Sequence, residues 1–501
     1  MLPTNKTSDV VAAGGVIRKR PETPMESEEE PASKRIKLST NSVNTFRACA
    51  VRNVSQVKRN TRGNWRQLPY VVLKKIYSLL PNKDRFNMSL TCRAWGDPLT
   101  TPSIWRSLKF KLDRIEDGRT EQFVKKVLPY SVRYLSIDCA EAKDAVIRER
   151  DSLAYLQSLL RYFVEQKTDK LVSLRLANMS RIVVRLAKFS KHKDLIFTLR
   201  RFLEIQTQLN VLNLSCAGFT LEQGTAMLTK VGRSCGSKIE KLIIDGLFAQ
   251  EENKDRAAVV LLEPFRLFTE VTSLTLSYEY LCDDVLEAFV SYGQLEQLRI
   301  YVEDVSRLDR LTSESWQVLR DECPNLEVHF VLRNVFHHLK FKRIMLHGIP
   351  LVSLDWEFKK DLSDSDWDDQ DVCLCMKYTA IHFHSTIRHI TLTVEFCFFE
   401  LRLVFLEIVK RCLKIETVSL NVPYDLCFKR ILACGTLWAC IEQPRTRLRE
   451  LNYNGVNIHL VGSKMHMSIK RLIEITTVEK SPFHNLKGMI SLGIRLPRFR
   501  R

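Results

Sequence analysis

Glycine and proline are scarce in this sequence of 501 residues, which has 17 glycines and 16 prolines. These low contents exclude a collagen-like chain and a long low-complexity chain. Long apolar runs are also missing, because Glu400, Arg402 and Glu407 interrupt the most apolar stretch, near Phe396–Val409. That stretch is too short and too charged to cross a bilayer, and the first residues lack the apolar segment of a secretory signal. We therefore expect a soluble intracellular protein with no membrane partner.

Catalytic signatures are scarce as well. The sequence has no H-E-x-x-H, no G-x-x-x-x-G-K-[ST] and no G-x-G-x-x-G pattern, and its eleven histidines show no triad spacing. Zincin, nucleotide-binding and dinucleotide-binding enzymes carry such patterns because their chemistry needs those groups at those spacings. We therefore predict a non-enzymatic protein without a cofactor.

Cysteine pairs of the C-x-x-C type are absent, although the chain has 14 cysteines. Their irregular spacing predicts buried or free thiols in a reducing compartment. Cys373-x-Cys375 and His382-x-His384 have the residue types that bind zinc, but strand alternation alone produces spacings of two. We therefore predict no metal site.

Acidic residues are outnumbered, with 58 Asp and Glu against 77 Lys and Arg, which gives a net charge of +19. Such a surplus favours acidic partners, namely nucleic acid, an anionic membrane face or an acidic protein.

Residues 1–60 show no apolar periodicity and are rich in Ser, Thr, Pro, Glu and Lys, which predicts a disordered tail. Two basic clusters in this tail resemble a bipartite nuclear-import signal, although a solvated polyampholyte tail would look the same. We predict a protein of nucleus and cytoplasm whose import residues are Arg18, Lys19, Arg20, Lys34, Arg35 and Lys37.

A compact helical segment is predicted for residues 64–110. An apolar stripe follows Leu68-Pro69 at spacings of three and four, which predicts a helix that ends at Pro81. A second helix fits residues 84–90, a third fits residues 92–95, and an extended run follows Ile104-Trp105.

An apolar-x-x-apolar-x-apolar pattern recurs from about residue 128, in a domain that we place at 120–501. The first six copies begin at Val132, Leu171, Leu209, Ile239, Val271 and Leu295. Later copies begin at Ile387, Ile415, Leu448 and Met489, and weaker ones lie near Leu326 and Phe341. Helical patterns separate the copies, as in leucine-rich-repeat solenoids. A doubly wound α/β domain would also alternate strand and helix, but the same apolar pattern in each copy favours an irregular solenoid.

The segment from Trp65 to Trp105 resembles an F-box. It has the leucine-proline start, an apolar helix, Asp84 before the second helix, Cys92 with Trp95, and the closing pair Ile104-Trp105. It departs from the family at Val71, where a glutamate is frequent. More narrowly, the segments 220–224 and 346–350 are similar to the F-box-only proteins numbered thirty-three and thirty-nine.

The resemblance implies an α/β protein with a small three-helix F-box followed by an irregular leucine-rich-repeat solenoid. It implies a non-catalytic substrate-recognition subunit of a Skp–cullin–F-box (SCF) ubiquitin ligase, with the Skp adaptor and the cullin scaffold as partners and an unknown protein substrate on the repeats. We expect the adaptor contacts to be Leu68, Pro69, Val72, Ile76, Leu80, Leu90, Trp95 and Trp105. The alternative is a basic nucleic-acid-associated scaffold protein, but the basic clusters lack the interleaved aromatic residues that stack bases, so nucleic acid is not the expected partner.

Overall fold

The computed structural model describes residues 65–111, 132–139, 148–180, 183, 191–249, 256–303, 311–335, 337–358, 369–394, 407–421, 450–453 and 456–459. The fold described below belongs to the second of two compact units, Arg66–Arg501. Both predicted basic clusters lie outside the described residues, so nuclear import stays a prediction. None of the described helices has the length and apolar content that a bilayer crossing requires.

The unit begins with three short helices, α1 (Tyr70–Leu79), α2 (Asn82–Ser89) and α3 (Arg93–Gly96). Two 3-10 turns follow, at Asp97–Thr100 and Pro102–Trp105. Pro69 and Pro81 directly precede α1 and α2, where a residue without a backbone N–H breaks no helical hydrogen bond. The carbonyl of Pro69 accepts hydrogen bonds from the backbone N–H groups of Val72 and Leu73 and so starts the first turn of α1.

In the described residues after these turns, 13 strands form one sheet in which they are arranged in chain order. All neighbouring strands are parallel except the last pair, which is antiparallel. The strands are β1 (Ser107–Lys111), β2 (Tyr134–Asp138), β3 (Ser173–Ala177), β4 (Val211–Asn213), β5 (Lys241–Ile243), β6 (Ser273–Ser277), β7 (Gln297–Glu303), β8 (Glu327–Arg333), β9 (Leu351–Phe358), β10 (His389–Val394), β11 (Thr417–Asn421), β12 (Glu450–Tyr453) and β13 (Val456–His459).

The repeated leucine sets the register of this sheet. Seven leucines, one per strand from β1 to β7, are paired across the sheet and almost completely buried: Leu108, Leu135, Leu174, Leu212, Leu242, Leu274 and Leu298. A slip of one residue would turn each of these side chains towards solvent, so the buried row fixes the pairing.

Helices connect the strands and pack against their neighbours in the chain. They are α4 (Arg148–Glu165), α5 (Lys191–Glu204), α6 (Leu221–Cys235), α7 (Ala257–Phe265), α8 (Asp283–Val290), α9 (Ser313–Glu322), α10 (His338–Ile344) and α11 (Asp369–His382). Their packing leaves no room at Gly236, where an added Cβ would lie 2.1 Å from the carbonyl oxygen of Leu267. Alternate residues of the strands face away from the core, as the alternating burial of β8 shows. We call this partly exposed side the open face of the sheet.

The predicted fold class is confirmed: a small three-helix segment is followed by an irregular leucine-rich-repeat solenoid of strands and helices. Two details of the predicted repeat pattern were wrong. The weak copy near Phe341 is helix α10, and strand β9 was not predicted. The copy at Met489 lies outside the described residues, and the domain boundaries 1–60, 64–110 and 120–501 stay predictions.

Candidate functional site

Helix α1 has more apolar side chains than it buries against the core. Leu73 and Tyr77 are buried, whereas Val71 and Leu79 are 75% and 74% exposed and Val72 is 42% exposed. A solvated helix normally shows water a polar face, with its apolar residues confined to the stripe that meets the core. The exposed side of α1 is therefore a candidate contact surface.

Two lysines share this exposed side. Lys74 and Lys75 are exposed, and Val72, Lys75 and Leu79 follow one another at the spacing of a single helical stripe. We call the set of Val71, Val72, Lys74, Lys75 and Leu79 the α1 outer surface. A further exposed apolar side chain is Leu90, which is 82% exposed at the end of α2.

Exposed apolar residues are concentrated in this part of the molecule. Six of the fourteen large hydrophobic side chains that are exposed in the described residues lie between 65 and 90: Trp65, Tyr70, Val71, Val72, Leu79 and Leu90. The other eight are spread from Tyr134 to Leu413. The density of exposed apolar groups thus distinguishes the helical segment from the solenoid.

A buried arginine fixes the position of α1. Arg85 on α2 donates from Nε to the carbonyl oxygens of Tyr77 and Leu80, both at 2.9 Å, and from a terminal nitrogen to that of Ile104, also at 2.9 Å. Its guanidinium lies 5.4 Å from the centre of the Trp105 ring. Burial lowers the pKa of Arg85, but an arginine remains charged at neutral pH. This one side chain joins the end of α1 to the turn before β1.

The eight predicted adaptor contacts differ in exposure. Pro69, Val72 and Leu90 are exposed, whereas Leu68, Ile76, Leu80 and Trp95 are half-buried. Trp105 is completely buried, and its indole N–H donates to the carbonyl oxygen of Leu99 at 2.8 Å. The prediction for Trp105 therefore needs correction, because a side chain without exposed surface belongs to the core.

The predicted adaptor contacts did not include Val71 and Leu79, two of the most exposed apolar residues of the helical segment. The prediction followed the stripe at spacings of three and four, and that stripe selects the residues that face the core. The signal that could have found them is the apolar composition of α1, YVVLKKIYSL, which exceeds what one helix face can bury.

The open face of the sheet carries opposite charges in register on three neighbouring strands. Arg333 on β8 is paired with Glu303 on β7 and, at 3.6 Å, with Glu357 on β9. The Arg333 guanidinium also lies 5.4 Å from the centre of the Tyr301 ring. Burial opposes the charge on Arg333, but the hydrogen bond to Glu303 and the nearby carboxylates raise its pKa. Paired charges of this kind do not favour a nucleic-acid groove, which presents unpaired cations.

His329 lies in the same region of the open face, on β8. Burial lowers its pKa, and the charge of Arg299 adds to that effect, while Glu327 and Asp355 oppose it. Nδ1 of His329 is buried and makes no hydrogen bond. His329 is therefore neutral at pH 7.

The pentapeptide Gly232–Gly236 has the G-x-S-x-G spacing of serine hydrolases. It lies at the end of α6, where Ser234 Oγ donates to the carbonyl oxygen of Val231 at 3.1 Å. A hydrolase nucleophile instead needs a sharp turn from a strand into a helix. The pentapeptide is therefore a helix terminus that resembles the motif in spacing alone.

The spacing of two between Cys373 and Cys375 suggested a strand, but the structure has no strand there. Both are buried on helix α11, and burial raises the pKa of the Cys375 thiol. No disulfide forms among the described cysteines. Buried thiols with raised pKa values are poor metal ligands, because a metal binds the thiolate.

Comparison with known proteins assigns the helical segment. A family model described as F-box-like matches residues 65–111. F-box/LRR-repeat protein 21 of Bos taurus is 35% identical over 51 residues, and that of Ovis aries is 34% identical over 56 residues. These matches cover 10% and 11% of this chain, and they span only 12% and 13% of the relatives' own length. The chain therefore contains an F-box-like domain, and the narrower likeness to the F-box-only proteins numbered thirty-three and thirty-nine is not confirmed.

Solved structures match over a larger part of the chain. The yeast Rad7 and Elc1 complex aligns with 77% of this chain and 95% of the matched chain, at 12% identity and a TM-score of 0.34. The leucine-rich-repeat-containing protein LegL7 of Legionella pneumophila covers 64% of this chain and 95% of its own, at 15% identity and a TM-score of 0.33.

Proposed function

We propose that this chain is the substrate-recognition subunit of an SCF-type ubiquitin ligase. Its F-box-like domain binds the Skp adaptor through the α1 outer surface and Leu90, and its solenoid binds a protein substrate. The observation that carries the proposal is the exposure of Val71, Leu79 and Leu90 within the segment that matches the F-box-like family.

The energetics favour a protein partner at this surface. Complete burial of a valine or leucine side chain contributes about 1.5–3 kcal/mol, so Val71, Leu79 and Leu90 together can anchor a complex. Lys74 and Lys75 add positive charge beside the apolar residues, and an acidic adaptor would therefore associate faster at low salt. Arg85 keeps α1 in place before binding, which limits the entropy that the domain loses in the complex.

The cullin scaffold would be reached through the adaptor. In this arrangement the chain performs no bond chemistry, and it holds a substrate close to a ubiquitin-charged enzyme. The open face of β7–β9, with Glu303, Arg333 and Glu357, supports binding of a substrate whose charges alternate in the opposite sense. Exposed charge pairs select such a partner more by orientation and specificity than by affinity.

We also propose that the protein is present in both the nucleus and the cytoplasm. The two basic clusters of residues 18–20 and 34–37 would direct its nuclear import. The nuclear fraction of a tagged chain with Lys34, Arg35 and Lys37 changed to alanine tests this. An unchanged fraction would mean that the clusters do not act as an import signal.

The adaptor proposal is tested by titration of the purified full chain with a purified Skp adaptor. We expect the double variant Val71→Ala with Leu79→Ala to bind at least about tenfold more weakly, because two buried apolar contacts are truncated.

The matched control is the double variant Val259→Ala with Phe197→Ala. These side chains are 71% and 62% exposed on solenoid helices, far from α1 in the chain. The control should bind the adaptor like the unmodified chain. Equal affinities for the α1 variant and the control would exclude the α1 outer surface as the adaptor site.

A further inference from the structure

Two consecutive histidines lie beside an aspartate where two neighbouring repeats meet. His337 precedes helix α10, His338 begins it, and Asp371 lies in the first turn of α11. The two histidines and the aspartate come from two separate segments of the chain, and the packing of α10 against α11 brings them together. Neither the F-box-like domain nor the open face of the sheet includes them.

The geometry of these side chains is close. His338 Nδ1 lies 2.5 Å from Asp371 Oδ1, and the same oxygen accepts the backbone N–H of His338 at 3.3 Å. The two imidazole rings are stacked, with their centres 5.5 Å apart and their planes 17° from parallel. One possible ligand atom from each of the three residues lies within 4.8 Å of the other two.

We propose that His337, His338 and Asp371 bind a zinc ion. Two imidazole nitrogens and one carboxylate oxygen are ligands that zinc takes at about 2.0–2.2 Å, and three protein ligands with a water complete a tetrahedron. Calcium and magnesium prefer oxygen ligands alone, so this set does not suit them.

Binding requires only a small rearrangement. The side chains of His338 and Asp371 are 25% and 16% exposed, which keeps them in place, whereas His337 is exposed and can turn towards them. His337 Nδ1 accepts a long hydrogen bond of 3.3 Å from the backbone N–H of Leu339, and a metal on this atom would replace it. Bonds from the ion to His338 Nδ1 and to the Asp371 carboxylate would replace the present contact between these two groups.

One electrostatic effect opposes the site. Both ligand segments lie at the starts of helices, where the partial positive charge disfavours a cation. The carboxylate of Asp371 offsets this charge directly, since it lies between the two helix starts. Asp371 is therefore the ligand on which binding depends most.

The site would connect two repeats of the solenoid. A metal ion that links α10 to α11 stabilises the folded chain in proportion to its affinity, because the unfolded chain does not hold the three ligands together. This role does not rest on adaptor binding, so either proposal can fail without the other.

The experiment uses the full chain, stripped of metal and then titrated with zinc and, in parallel, with cobalt(II) as a spectroscopic probe. We expect one zinc ion per chain with a rise in the melting temperature. We expect cobalt(II) to give visible d–d bands without the near-ultraviolet thiolate-to-metal band that cysteine ligands produce.

The variants His338→Gln and Asp371→Asn should each lose the zinc-dependent rise in melting temperature. Their affinity should fall by more than the roughly 10–100-fold that loss of a second-shell partner costs. The matched control is His384→Gln, because His384 is exposed just after α11 and outside the cluster. It should bind zinc like the unmodified chain.

Three outcomes would overturn the proposal: unchanged zinc affinity in both ligand variants, a cobalt spectrum with thiolate bands, or no bound zinc. The metal-free melting temperatures report whether the variants fold, and the cobalt spectrum of the unmodified chain tests the ligand set without any substitution.

Discussion

Arg85 illustrates how a single charged residue organises the F-box-like domain. Arg85 is only 6% exposed, yet its donors reach three carbonyl oxygens, two at the end of α1 and one in the turn before β1. A buried charge is tolerated when hydrogen bonds replace its hydration. The carbonyl oxygen of Tyr77 also accepts the backbone N–H of Leu80 at 3.2 Å, and the arginine adds a charged donor to this oxygen and to that of Leu80.

We predict that Arg85→Ala lowers the free energy of unfolding by about 2–4 kcal/mol, because the hydrogen bonds from a charged group to three carbonyl oxygens are lost. Urea denaturation of the full chain measures the loss. The exposed Arg93 provides the control, since Arg93→Ala should change stability by less than about 0.5 kcal/mol. A change of similar size in both variants would contradict this role for Arg85.

His329 makes stability depend on pH. Its pKa is below the ordinary value when the protein is folded, because of burial and of Arg299, so the unfolded chain binds the proton more readily. Stability is therefore fully present above about pH 6.5, the ordinary value for histidine, and decreases as the pH falls through it. Burial also lowers the pKa of His382, with contributions from His347 and Lys342, so His382 acts in the same direction.

We predict that His329→Gln reduces the loss of unfolding free energy between about pH 7.5 and about pH 5.5. Denaturation at both pH values, with and without the substitution, gives the difference. The charged or titratable groups around His329 are Arg299, Glu327, Asp355 and His389. If the variant loses as much stability on acidification as the unmodified chain, His329 does not account for the pH dependence.

At the scale of elements, helix α6 shows how local signals position a repeat. Thr220 Oγ1 accepts the backbone N–H of Gln223 at 3.2 Å, and the Gln223 side chain accepts the backbone N–H of Thr220 at 3.3 Å. Such a reciprocal capping box satisfies donors that the first helical turn leaves free. Position 224 is a glycine because a Cβ atom there would lie 2.6 Å from the Phe248 ring. Helix capping and close packing therefore explain the residues Thr220, Gln223 and Gly224 in this segment.

We predict that Thr220→Ala costs about 0.5–2 kcal/mol of stability, the range measured for loss of a capping side chain. Thr220→Ser keeps the accepting oxygen and should cost much less. Thermal denaturation compares the two variants. Equal losses would mean that packing of the threonine methyl group, rather than the cap, stabilises the start of α6.

The strands were predictable from sequence where one leucine row is buried. Leu174, Leu212 and Leu242 occupy equivalent positions in the pattern and in the sheet, because burial and register impose the same requirement on each repeat. Helices α10 and α11 were not predictable from sequence, since short apolar runs fit a strand or a buried helix equally well. Cys373 and Cys375 show this, because both are buried on a helix despite a spacing of two.

The candidate adaptor surface was predictable only in part. Periodicity found the side of α1 that faces the core, including Ile76 and Leu80, because core packing repeats with the helix. Leu79 also fits that periodicity although it is exposed, because spacing alone does not say which apolar side chains of a helix meet the core. The cluster of His337, His338 and Asp371 depends on contacts between neighbouring repeats, so no local pattern could indicate it.

At the scale of the whole described unit, the F-box-like domain and the solenoid share one core. Buried side chains from Leu73 on α1 to Val418 on β11 form a single cluster, and β1 directly follows the last turn of the domain. A solenoid end needs a cap, because its last strand would otherwise expose an edge. The helices of the F-box-like domain precede β1 in the chain and share its core, while the α1 outer surface stays exposed.

Adaptor binding through the α1 outer surface is tested most directly by side-chain footprinting of the unmodified full chain, with and without a purified Skp adaptor. Carbene labelling reports the accessibility of each side chain by mass spectrometry. We expect labelling of Val71, Leu79 and Leu90 to fall when the adaptor binds, while labelling of Val259 and Phe197 does not change. Protection of the solenoid residues with continued labelling of Val71 and Leu79 would contradict it.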